Sequence, residues 1–524
     1  MAPKAIKDKS ETKSKSKTKS TVKKPSPKYD YTKPVTTREE IKEHIHAIHN
    51  YMRNNGVGYG FDALNTFNLI YGMTLLEDMF KKGELDNIVS KEDQEILSFS
   101  KAKAMADVDS QIQVYNYIDR TVCNTLMKYP GLREVFFYEI PKDLDNYVIS
   151  DVVSMISKIN PTNNHHLAGK IYEYFIGRDE SAIASLGAYF TDRWLTNYII
   201  SMVQKMGKIT ITETGIPSFC DPFGGSGGFT LAYIDTIKKL AKDNPDFDWE
   251  KEITKINHFD LSQNVIKMVK MEIFTMTHKF ADRQRIMKTN SFKEEFTEKY
   301  DLILSNPPYG GDKGDEKVKL CLCSWLIKKY AMKGKEIAVD KSGEMMFDLP
   351  GDNKENASCI LFMCTLKKGG LCVAVLKEGV FFDSKYEKLR KEMIEEYNVR
   401  CILDVPGDSF ENTTTKTSVL FMEHTGKTKE TEFRRLVVNK TSSGEITGVA
   451  DELIVKVPYK KLVDNKYSLS YKKYVETTET CADGFEFVKL GEICKYLPKS
   501  KRKASEGSTE GQYKFFTSRS EEHT

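Results

Sequence analysis

Asn306-Pro307-Pro308-Tyr309 directly follows the apolar run Asp301-Leu-Ile-Leu-Ser305, and it is the stretch of this sequence best equipped for chemistry. Each proline fixes φ near −65° and donates no backbone hydrogen bond, so the carbonyls of Asn306 and Pro307 stay free as acceptors in the turn. An exocyclic amino group has two hydrogens to donate. The Asn306 side-chain oxygen and the Pro307 carbonyl can take one each, which leaves the nitrogen lone pair open to an electrophile. The flat face of Tyr309 can stack on the ring that carries the amino group. This is the chemistry of an adenine or cytosine pocket. Taken in isolation, the same four residues also suit a proline-rich turn that closes a buried strand.

Two upstream segments bring further polar groups to the ends of apolar runs. The first is Phe219-Cys220-Asp221-Pro222-Phe223-Gly224-Gly225-Ser226-Gly227-Gly228, followed by a helical pattern through Leu231, Ile234 and Ile237. It reads as strand, glycine turn and helix, a place where backbone can approach a ligand closely and helix amides can hold an anion. The glycines do not fall in the G-x-G-x-x-G spacing and no Lys-Ser/Thr follows, which disfavours a dinucleotide or a nucleoside triphosphate. The second segment runs from Lys255 to Phe259 and ends in Asp260, after which Val265, Met268, Val269, Ile273 and Phe274 recur with helical period. An acid at such a strand end can bind two ribose hydroxyls, and the same residue type is also a favoured helix N-cap.

The order of the glycine turn at Asp221, the acid Asp260 and the Asn306-Pro-Pro-Tyr309 turn resembles that of S-adenosylmethionine-dependent amino methyltransferases. More narrowly, from about Thr36 to about Tyr474 the chain is similar to N6-adenine DNA methyltransferases, in particular the modification subunit of type I restriction systems and fused methyltransferase-specificity enzymes. Leu186-Gly-Ala-Tyr189-Phe190-Thr191 looks like the family segment that closes over the methionine end of the cofactor, with Asp192 where proline is usual. Gly369 to Leu376 with Glu378 to Phe382, Leu403 to Pro406 with Phe410, Thr417 to Phe421, and Tyr467 to Tyr471 resemble later segments of the module. The resemblance implies an α/β, Rossmann-like methyltransferase domain preceded by a helical N-terminal domain. It implies S-adenosylmethionine held by Tyr189, Phe190, Thr191, Asp221, Pro222, Gly224, Gly225, Ser226, Gly227, Asp260, Asn290, Ser291 and Asn306. The catalytic set would be Asn306, Pro307, Pro308 and Tyr309, acting without a metal on an adenine flipped out of double-stranded DNA. Phe410 is either a second stacking face or a core residue. Asn290 stands where the family commonly has an acid, so an acceptor is retained there without its charge. A specificity subunit or domain and a restriction subunit would be partners.

Composition sets the remaining bounds. The 524 residues are 40% hydrophobic and 29% charged, which suits two or three domains with a sizeable core. No long apolar run suggests a membrane span or a signal peptide, so an intracellular protein is expected. The ten cysteines form no C-x-x-C pair and the nine histidines no H-E-x-x-H set. Residues 1–28 carry ten lysines against Asp8 and Glu11 and read as a disordered basic tail, either a phosphate-binding or nuclear-targeting arm or a solvated end. This tail is +8, so the rest of the chain must be about −4 to give the overall +4. Residues 29–160 read as the helical domain, opened by the capping box Thr37-Arg-Glu-Glu40, and residues 161–474 as the methyltransferase. The polar stretch Gly311 to Asn356 is either a loop that orders over DNA or a solvated insertion. Residues 475–524 resemble the start of a truncated target-recognition domain. Two rival functions share parts of this pattern: a protein-glutamine or RNA N-methyltransferase, and a non-catalytic DNA-binding assembly subunit.

Overall fold

Strand formation follows the apolar runs. A computed structural model of the chain describes residues 30, 33–35, 38–58, 60–108, 111–142, 144–159, 191–294, 296–309, 338–339, 345–346, 354–406, 416–441, 446–475, 488 and 490–494. Strands β1 (Phe219–Asp221), β2 (Ile256–Asp260), β3 (Ile286–Lys288) and β4 (Tyr300–Ser305) precede a separate small ladder, β5 (Ala338–Val339) on β6 (Met345–Met346). They are followed by β7 (Leu366–Lys377), β8 (Asn398–Asp404), β9 (Thr417–Glu423), β10 (Glu430–Lys440) and β11 (Ile446–Pro458). Apart from β5 and β6 they form one nine-stranded sheet in the order β11-β10-β8-β9-β7-β4-β1-β2-β3. Strands β3, β2, β1, β4 and β7 are parallel, and β9 enters reversed between β7 and β8. Parallel strands are covered on both faces, which is why β1 is buried throughout and β4 is buried at all but one position.

The crossovers are helices, among them Gly228–Leu240 between β1 and β2 and Gln263–Thr277 between β2 and β3. From β1 the chain winds outward through β2 to β3 and then returns to place β4 on the other side of β1. The direction of winding therefore reverses between β1 and β4, and such a switch point opens a crevice outside the carboxyl ends of the strands. Asp221, Asp260 and Asn306 all sit at that edge.

The N-terminal region is helical, as expected. In the helix Arg38–Asn54 the period of Ile41, Ile45, Ile48 and Met52 puts all four in the core. Phe61–Lys81 is buried almost all round and packs, together with Pro130–Phe136, against Gln263–Thr277 of the sheet layer. The seam is apolar at its centre, where Phe136 meets Phe274 edge-on at 5.6 Å, and ionic at its rim, where Glu134 pairs with both Lys270 and Arg283. One hydrophobic core runs from Val35 through these helices to Leu436 on β10. Residues up to Tyr474 form one compact unit and Val475–Thr524 a second. Cys123, Cys220, Cys359, Cys372 and Cys401 are buried free thiols, and among the described residues no helix is long and apolar enough to cross a membrane. Tyr189, Phe190, Phe410, and most of the segments 311–356 and 475–524 lie outside the described residues.

Phe136 is 1% exposed and sits at the seam, so Phe136→Ala is expected to lower stability by about 3–5 kcal/mol. Because helices and sheet share a core, urea unfolding followed by tryptophan fluorescence and by far-ultraviolet circular dichroism should give coincident single transitions in both proteins. Two separated transitions in the variant would show that the helices stand alone.

Candidate active site

Asp221 ends β1 with its carboxylate 1% exposed. One oxygen accepts from the Ser305 hydroxyl at 2.6 Å and from the Phe223 amide at 3.2 Å. The first bond ties the end of β1 to the end of β4, one residue before Asn306. Burial is the main influence on this acid and pushes its pKa up to about 7, against the opposing pull of the Ser305 and Phe223 hydrogen bonds. Asp260, at the end of the neighbouring β2, is also raised by burial; it accepts from the amides of Gly225 at 3.2 Å and Ser262 at 2.8 Å. Among the described residues neither carboxylate is paired with a basic side chain. Two adjacent, largely desolvated acids without a counter-ion favour a ligand that brings positive charge or hydroxyl donors.

The alternative reading of Asp260 as the helix cap is settled locally. The N-cap of Gln263–Thr277 is Ser262, whose hydroxyl accepts from the Val265 amide, while Asp260 holds the glycine turn from below. That turn is shaped by positive φ at Gly225 (49°) and Gly227 (81°), and Gly227 begins the helix Gly228–Leu240 without a side-chain cap. A Cβ on Gly225 would meet nothing within 4 Å, so this part of the backbone borders open space. Pro222 offers its carbonyl to the Ser291 hydroxyl, and the Asn290 side chain accepts from the Phe292 amide at 3.1 Å. The segment after β3 is thereby fastened to the turn. Ser226 is buried, and its carbonyl accepts from Arg193 at 3.3 Å.

The Asn306 carboxamide is half-buried and gripped from two sides. Its nitrogen donates to the Thr191 hydroxyl at 2.8 Å, and its oxygen accepts from the Tyr309 hydroxyl at 2.6 Å. Tyr309 is 7% exposed, and its one hydroxyl hydrogen is shared with the more distant Val375 carbonyl of β7 at 3.2 Å. The tyrosine therefore orients Asn306, a role its position in the sequence did not indicate. One N–H is committed to Thr191 and the oxygen already accepts from Tyr309, which fixes the two ends of the carboxamide, and an amide oxygen has a second lone pair with which to accept from an amino group. Pro307 is buried and Pro308 half-buried.

The N-6 DNA Methylase family matches residues 163–483, a span that contains every strand of this edge. The chain belongs to that family. It is 24% identical over 303 residues to the type I restriction enzyme EcoEI methylase subunit of Escherichia coli, covering 55% of this chain and 52% of that protein. It is likewise 24% identical over 308 residues to the MjaIX methylase subunit of Methanocaldococcus jannaschii, covering 56% and 49%. The chain thus spans about half the length of the curated relatives it matches. In fold it is similar to the type I restriction-modification methyltransferase subunit of Streptococcus thermophilus, with a TM-score of 0.57 at 14% identity, covering 84% of this chain and all of the other.

In this member of the family, two residues of the edge were not singled out from sequence. Leu261 follows Asp260 and is 56% exposed, an apolar surface beside the acid. His258 lies fully buried beneath the glycine turn, with Nδ1 2.9 Å from the Thr230 hydroxyl. A bulky apolar residue after a strand-end acid was visible in the sequence; the histidine had no local signal, since it interrupts an ordinary strand pattern.

The raised pKa of Asp221 has a definite sign. The folded chain holds this proton up to about pH 7, whereas the unfolded chain releases it near the ordinary carboxylate value, so burial of this acid costs progressively more stability as pH rises between those values. Asp221→Asn keeps an oxygen for Ser305 and Phe223. The variant is expected to gain on the parent between pH 4 and 7 by about 1.4 kcal/mol per unit at most, and then to hold a constant difference. Denaturant midpoints across pH 4–8 test this, and parallel curves for the two proteins would refute it.

Proposed function

We propose that this chain binds S-adenosylmethionine at the carboxyl edge of β1 and β2 and transfers its methyl group to the N6 amino group of an adenine flipped out of double-stranded DNA. The acceptor carboxamide of Asn306 carries this reading, because it stands at the same sheet edge as the buried acids Asp221 and Asp260. Membership of the N-6 DNA Methylase family supports the choice of adenine. We further propose that the chain works as a modification component with a specificity subunit or domain, and with a restriction subunit.

The residues suit the cofactor. Among the described residues Asp221 and Asp260 have no basic partner, which favours a cationic amino acid end and ribose hydroxyls over a phosphate-bearing ligand. Gly225 leaves backbone open for close approach, and Leu261 offers an apolar wall for a flat ring. Thr191 would complete the site from the other side, with Tyr189 and Phe190 preceding it in sequence; Asn290 and Ser291 would close it beyond β3. When bound, S-adenosylmethionine supplies an electrophilic methyl on a positively charged sulfur, so no metal or covalent nucleophile is called for.

The chain's own work is alignment. Tyr309 and Thr191 fix the rotamer of Asn306, so that its oxygen and the Pro307 carbonyl take the two amino hydrogens and turn the nitrogen lone pair outward. Extrusion of the adenine costs a few kcal/mol, which these hydrogen bonds and stacking on the aromatic turn would offset in part.

Asn306→Ala is expected to abolish transfer of radiolabelled methyl to DNA while calorimetric binding of S-adenosylmethionine stays within about threefold of the parent. Equal loss of both would contradict the assigned role. Asp260→Ala is expected to weaken cofactor binding by about 1–3 kcal/mol, the cost of leaving a buried partner unsatisfied. An unchanged affinity would confine Asp260 to holding the turn.

A further inference from the structure

Gly224 and Gly225 are adjacent, yet the space around them differs. A Cβ on Gly225 would project into open space, whereas a Cβ on Gly224 would lie 2.1 Å from Cε1, 2.3 Å from Nδ1 and 2.6 Å from Nε2 of His258. All three of its nearest neighbours belong to that one ring. Gly224 is held in place as well, since its amide donates to the Phe259 carbonyl at 2.9 Å. The imidazole cannot retreat, because it is 0% exposed on β2 and its Nδ1 is 2.9 Å from the hydroxyl of Thr230, itself buried in the helix Gly228–Leu240. One side chain thus touches the three parts of the cofactor turn: the strand whose next-but-one residue is Asp260, the glycine backbone, and the helix that follows it. Burial also drives the ring far toward its neutral form, with a pKa near 3, so no charge competes with the nearby acids for their ligand.

We infer that His258 is a positioning residue for the cofactor turn, and that it dictates glycine at position 224 by occupying the space below it. This rests on the S-adenosylmethionine reading given above. The two glycines are then needed for opposite reasons: Gly224 because the protein lies beneath it, Gly225 because the ligand lies above it.

Calorimetric titration with S-adenosylmethionine, paired with melting temperatures, tests the assignment on Gly224→Ala, His258→Ala, the double variant, and Gly225→Ala with and without His258→Ala. Gly224→Ala is expected to bind at least about tenfold more weakly and to melt lower, because the turn must lift off the ring. Adding His258→Ala should restore about tenfold of that affinity together with the melting temperature, since the methyl then fills the vacated space. The loss caused by Gly225→Ala should not be restored. His258→Asn, which keeps a polar group for Thr230, should bind more tightly than His258→Ala. A double variant that melts like the parent but binds as weakly as Gly224→Ala would overturn the inference, because the methyl would then be obstructing the ligand and not the histidine. Absence of cofactor binding by the parent chain would instead remove the S-adenosylmethionine reading, and the melting temperatures would still decide whether His258 dictates Gly224.

Discussion

The Ser305 hydroxyl bonded to the Asp221 carboxylate is the contact on which the rest of the edge depends. Both side chains are sealed from solvent, one at the end of β4 and the other at the end of β1, and the bond spans the point where the sheet reverses its winding. A carboxylate in such a place is costly to keep charged, and a single hydroxyl and one amide do not fully compensate it. The fold retains it nevertheless, and in doing so fixes the distance between the glycine turn and the Asn306 turn. Both turns are thereby built on one crossing of adjacent strands, where positional precision is greater than loops alone would give.

On each side of that crossing, polar groups are oriented by neighbours that are themselves buried. Tyr309 presents its hydroxyl to Asn306 while leaning on the β7 backbone, and Thr191 fixes the carboxamide from the opposite side. Asp260 holds Gly225 while Ser262 caps the next helix, so neighbouring residues divide two tasks that either could have performed. For the reaction proposed above, preorganisation of this kind would let alignment, more than bond-making groups, supply the rate.

Much of this was legible in the sequence, because its signals are local. Apolar runs that end in Asp221, Asp260 and Ser305-Asn306 marked strand ends, and the helical periods between them marked crossovers, which together imply a parallel α/β sheet. The segments Leu403 to Pro406 and Thr417 to Phe421, singled out by resemblance, fall at the end of β8 and within β9. Other features depend on residues far apart in the chain. The closeness of His258 to Gly224 joins segments more than thirty residues apart, and the orientation of Tyr309 draws on a carbonyl of β7. The long β10–β11 ribbon was missed because its residues are mostly exposed or half-buried and carry no clean alternation.

The seam between the helices and the sheet bears on how this protein can be divided. The span recognisable as N-6 DNA Methylase opens at residue 163, after the helices that cover Gln263–Thr277. A recombinant fragment cut there would bring the rings of Phe274 and Phe280 and the thioether of Met271 to water, with Lys270 stripped of its carboxylate partner. Homology and physical independence thus part company in this chain: the stretch that evolution labels as a unit borrows its outer wall from residues that the label omits.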